Sequence, residues 1–119
     1  MVFNIELTDI EGNELDQGNL EIYIQVLVRF IDPKMFLDQT ENGVQVNLEA
    51  VYGPMPKLIK LSDDLVKISK VFSGALVALY APYQEFGFKM YYYGGRMQVC
   101  KQVKSYEPIN LVYLMGMEE

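Results

Sequence analysis

Lys89, Tyr91, Tyr93 and Arg96 are the residues of this 119-residue chain best equipped to hold a ligand or a partner. They fall within the stretch 86–104, FGFKMYYYGGRMQVCKQVK, and share one face if that stretch is a hairpin. Tyrosine and arginine are the side chains that most often anchor interfaces, and a guanidinium such as that of Arg96 stacks on a tyrosine ring. The same four residues suit an anionic ligand or a nucleotide, although no glycine-rich phosphate loop accompanies them. The plainer reading is cross-strand packing beneath a neighbouring strand or loop.

A second group is acidic. Asp9, Glu11, Glu14 and Asp16 crowd a turn-rich segment that also holds Asn13. Carboxylates in a loop are the oxygen ligands calcium prefers. The spacing misses the EF-hand pattern, because Gly12 and Asn13 come too early and the distal glutamate is absent. A solvated loop is the simpler account. Together with Glu21, Asp38 and Glu41, these acids also suit a row of charges that imitates a phosphate backbone.

The charge is unevenly divided. Residues 1–49 hold ten acids against Arg29 and Lys34, whereas residues 50–119 hold six acids against eight bases. The net charge of −6 disfavours direct binding to nucleic acid phosphates. A protein with a basic surface is the better partner for the acidic half, steered by Asp9, Glu11, Glu14 and Asp16.

What the chain lacks is equally telling. It contains no histidine, which removes Ser-His-Asp and Cys-His machineries, histidine zinc sites and the usual neutral-pH proton shuttle. Any catalysis would fall to Glu, Lys or Tyr, no catalytic or cofactor motif is legible, and none is expected. Cys100, the single cysteine, excludes an internal disulfide and a multi-cysteine metal site. It sits opposite Lys89 in the expected hairpin register, where an ammonium would favour the thiolate, but it also reads as a small side chain. A reducing, cytoplasmic setting is expected. The longest apolar run, Ala75 to Pro82, falls far short of a membrane span, and MVFNIELTD does not resemble a secretory signal.

These residues must be positioned by a single domain, 1–119, with half its residues apolar. The clearest element is the hairpin. Gly94-Gly95 accepts the positive φ angles of a tight turn and pairs Tyr93 with Arg96 and Tyr92 with Met97. Continued without interruption, the register sets Met90 opposite Val99, Phe88 opposite Lys101 and Phe86 opposite Val103. One face is then almost wholly apolar, and it cannot stand without a cover. Residues 2–8 alternate as a first strand, with Phe3, Ile5 and Leu7 on one side. Residues 9–19 read as a loop.

LEIYIQVLVRFI, residues 20–31, shows the longest alternation in the chain, with Leu20, Ile22, Ile24, Val26, Val28 and Phe30 on one face. It predicts a central strand. Asp32-Pro33 ends it, with Asp32 placed to cap a short helical turn over PKMFLDQ. TENG turns the chain into a strand with Val44, Val46, Leu48, Ala50 and Tyr52 facing one way. GPMP, residues 53–56, is a rigid break, and KLIKL suits a short edge strand. Residues 63–81 predict a helix capped by Ser62 and stopped by Pro82; two strands turning at Ser73-Gly74 are the rival. A last apolar strand follows at 109–115.

The fold expected is α+β: a largely antiparallel sheet in the order three strands, one helix, three strands, with the C-terminal β-hairpin at 86–104. A small all-β barrel or sandwich is the alternative. The function expected is non-enzymatic interaction or assembly, with the chain binding itself as a homo-oligomer, another protein, or both, and no membrane. Small acidic proteins without motifs are frequent among virus and mobile-element products. A small-molecule binding or sequestering domain, using Lys89, Tyr91, Tyr93 and Arg96, is the alternative.

Overall fold

The computed structural model describes residues 2–48, 54–82 and 86–104, with side chains described for 2–48, 58–82 and 89–98. The chain is α+β, and its described residues form two helices and a six-stranded antiparallel sheet. In chain order the elements are β1 (Val2–Thr8), α1 (Gln17–Phe30), β2 (Phe36–Thr40), β3 (Gly43–Asn47), α2 (Pro54–Val71), β4 (Leu76–Tyr80), β5 (Phe86–Tyr93) and β6 (Arg96–Lys104). The sheet order is β2-β3-β1-β4-β5-β6.

β1 forms as its alternation predicts, with Phe3, Ile5 and Leu7 buried on one face. It lies between β3 and β4, pairing Ile5 with Val44 on one side and with Leu79 on the other. β4 is central too and buried along its whole length, which explains why LVALY is apolar on both faces. Gly43 opens β3 opposite Glu6 with no room for a side chain: a Cβ there would come 1.8 Å from the Ile5 carbonyl oxygen.

The strand expected over residues 20–31 is helix α1. Leu20, Ile24, Leu27 and Ile31 are buried, at the spacing of a helical stripe, while Ile22, Val28 and Phe30 of the supposed strand face are exposed. The segment is apolar at both periods, so alternation alone could not separate them. The decisive local signal is Asp16, whose carboxylate accepts the Asn19 N–H and caps the helix. Pro33 follows shortly after its end. Asp32 accepts the N–H groups of Lys34 and Met35, closing the expected turn, but the chain leaves it at once as β2.

The second helix begins earlier than its sequence signals suggested. Pro54 and Pro56 do not break the chain; they occupy the first turn of α2, where a proline costs no hydrogen bond. KLIKL is therefore helical, and Ser62 is interior rather than a cap. The buried stripe is Leu61, Leu65, Ile68 and Phe72. The helix stops at Val71, Gly74 takes φ +82°, and β4 follows, so both readings of 63–81 hold over part of that range.

The 86–104 hairpin forms, with Gly94 and Gly95 at φ +64° and +87° and Tyr93 opposite Arg96. Its register holds only through Tyr92–Met97. Gln98 is then an extra residue, Tyr91 pairs with Val99, and Met90 pairs with Cys100 instead of Val99. The Gln98 side-chain amide donates to the Tyr93 carbonyl at 2.9 Å, which accommodates the bulge. Lys89 accordingly faces Lys101, not Cys100. Ala50, Tyr52 and the strand expected at 109–115 lie outside the described residues.

α1 packs against β3, and α2 against β4, β5 and β6. Both contribute to one core with Ile5, Val44, Val77, Leu79 and Tyr92 from a single face of the sheet. Tyr23 joins the helices: its phenol donates to the Ser73 carbonyl at 2.9 Å, and its ring lies 4.6 Å from that of Phe72.

Candidate interaction site

The apolar stripe of α2 is wider than the core requires. Leu58 is half-buried, Ile59 is 60 % exposed, and Ser62 and Asp63 complete the same helical turn. Opposite them stand Met90 of β5 and Met97 of β6, the latter 46 % exposed. The six residues line an open groove of about 240 Å³.

Two hydrogen bonds join its walls, each backed by a second bond within one wall. Ser62 Oγ and the Tyr92 hydroxyl are 2.6 Å apart, and that hydroxyl also lies 3.8 Å from Met90 Sδ. At the far end the Gly95 N–H donates to Ser69 Oγ at 3.0 Å, and Ser69 in turn donates to the Val66 carbonyl. The turn of the hairpin is thus pinned to the helix, with the Lys70 stem packed where a Gly95 side chain would be. A groove walled by a helix and a hairpin and lined by two methionines presents soft, adaptable apolar surface. Its chemistry suits an apolar side chain and offers little to a phosphate.

The four residues expected to form a binding surface are not brought together as one. Tyr91 is 2 % exposed, packed with Leu76 and Ala78 on the sheet face away from the helices, with Tyr93 against them. Lys89 is 5 % exposed, its ammonium 4.3 Å from the centre of the Tyr80 ring. Arg96 is exposed at the hairpin turn and Tyr93 is half-buried. The error has a physical source. Tyr91 and Lys89 lie on the sheet face away from the helices, where Leu76, Ala78 and Tyr93 pack against Tyr91 and the Tyr80 ring against Lys89, so three consecutive tyrosines need not include an exposed one.

The same face holds a polar row that sequence reasoning did not anticipate. Gln45 donates to Asn4 at 3.1 Å, Asn4 Nδ2 lies 3.5 Å from the Tyr80 hydroxyl, and that hydroxyl donates to Glu6. Burial and the Glu6 hydrogen bond push the Tyr80 phenol up to about 12. Tyr91 is raised further, by burial first and then by the charge of Glu6. Among the described residues no buried side-chain polar atom is left without a partner, so the row reads as structure.

The acidic loop is compact. Asp9 accepts the N–H groups of Glu11 and Asn13, both at 2.9 Å, and Asp16 is the helix cap, also bonded to the Asn19 side chain at 2.6 Å. Glu11 and Glu14 are exposed. Among the described residues no three carboxylates or thiols converge as a metal-binding set, and no helix is long and apolar enough to cross a membrane. Comparison with protein families, curated proteins and solved structures found no match.

Proposed function

We propose that this chain is a non-enzymatic interaction protein that self-associates and binds protein. The observation that carries the reading is the groove between α2 and the hairpin, where Ile59 and Met97 stay exposed beside a fully folded core. Exposed apolar side chains around a concavity are how interfaces differ from the ordinary surface of a monomer. The uneven charge of the two halves of the sequence supports the same reading, because it favours oriented encounter with another protein.

The small-molecule alternative draws on the same groove, but for an apolar ligand rather than an anion. Lys89 lies against Tyr80, away from the groove, which weakens the anionic version. Native mass spectrometry of the freshly purified chain over a hundredfold concentration range separates the two. Concentration-dependent oligomers support assembly. A monomer at every concentration that retains a small molecule overturns it in favour of ligand binding.

A further inference from the structure

The topology converts the charge asymmetry of the sequence into a spatial one. Residues 2–47 supply β1, α1, β2 and β3, which form one half of the sheet, β2-β3-β1. The other half, β4-β5-β6, comes with its helix from residues 54–104. Ten of the sixteen acids belong to the first 49 residues and eight of the ten bases to the rest. Among the described residues the half that contains β2 therefore carries nine acids against two bases, and the half that contains β6 carries eight bases against Asp63 and Asp64.

Each end of the sheet also carries exposed apolar side chains. At the β6 end lies the groove, where Leu58, Ile59, Met90 and Met97 supply the apolar lining and Ser62 and Asp63 the polar rim. At the β2 end, Phe30 closes α1, and Phe36 and Leu37 open β2, all three exposed. Leu37 is the extra residue of a bulge, passed over where Phe36 pairs with Val46 and Asp38 with Gln45. A bulge re-aims its side chain, and here it leaves an apolar knob, 47 % exposed, on an edge strand. Edge strands ordinarily carry charge at such places.

Resting on the assembly reading above, we infer that copies of this chain associate head to tail, with the Phe36-Leu37 knob of one copy seated in the α2–hairpin groove of the next. The partner is a second copy because the exposed apolar knob and the apolar groove lie in halves of opposite net charge. A contact between two different patches is heterologous, so it generates rings or open filaments rather than an isologous dimer. Charge sets the orientation: the acidic half of one copy meets the basic half of its neighbour, and the reversed approaches bring like charges together.

The test uses two variants of the full chain, Leu37→Asp and Ile59→Asp, at positions whose side chains are exposed. The wild type should assemble beyond a dimer. Each variant alone should be monomeric, its association weakened at least tenfold, because every contact needs one of the lost patches. Mixed in equal amounts, with one variant isotope-labelled, they should form a dimer containing one of each and nothing larger. Formation of that dimer also proves both variants folded. If either variant melts below the wild type, the corresponding serine substitution replaces it. Single variants that assemble like the wild type, or a mixture that stays monomeric, overturn the head-to-tail contact while leaving self-association standing. A wild type that is monomeric at every concentration overturns both.

Discussion

At the scale of single residues, three positions carry tests that the geometry makes sharp. Gly43 has no room for a side chain, because a Cβ would run into the Ile5 carbonyl at the end of the β1–β3 ladder, where Gly43 pairs with Glu6. Gly43→Ala should lower stability by about 1–3 kcal/mol through overpacking against backbone, measured by urea denaturation. Gly94, with φ +64° and open space where a Cβ would stand, should accept asparagine with little loss. Tyr80 gives a pH signature. Its phenol is raised from about 10 to about 12 in the folded protein, so above pH 10 the unfolded chain gives up this proton first. The stability contributed by the protonated phenol is complete below pH 10 and is lost as pH rises towards 12. Tyr80→Phe should cost on the order of 1.5–3 kcal/mol at pH 8, the worth of a hydrogen bond to a carboxylate, and should flatten the decline above pH 10. Denaturation midpoints at pH 8 and pH 11 check both parts.

At the scale of elements, α1 is where sequence reasoning and structure part. Ile22 and Ile24 share a face in a strand; in the helix Ile24 is buried and Ile22 is 58 % exposed. Ile22→Glu should therefore stay within about 0.5 kcal/mol of the wild type, whereas Leu27→Ala should cost about 2–5 kcal/mol. Equal losses from the two would contradict the helix. β1, β3 and the hairpin were legible because a single period, or a glycine pair, left no competing reading. Residues 20–31 satisfy both periods, so the choice rests on the Asp16 cap ahead of them and on their tertiary setting, where the helix covers β3. The hairpin register failed at one residue for a related reason: a bulge at Gln98 is stabilised by a side-chain contact across the turn, and alternation cannot express it. Of the candidate site, the exposed position of Arg96 was legible. The burial of Tyr91 and Lys89 was not, because it depends on where β5 stands in the sheet. The groove was hidden by the misreading of KLIKL as a strand.

At the scale of the whole molecule, the sheet order places the first half of the chain beside the second, and with it the acids beside the bases. Assembly that uses this polarity should weaken as salt rises, and sedimentation at about 0.1 M and 1 M salt, where the screening length falls from about 10 to about 3 Å, should show smaller species at the higher value. The most direct test of assembly through the groove is hydrogen exchange of the wild-type chain at high and low protein concentration. Added protection on concentrating should appear at residues 36–40 and at 58–63 together, with the acidic loop 9–16 unchanged. Exchange that is independent of concentration at both places, or protection at 9–16 alone, would contradict an assembly built on the groove.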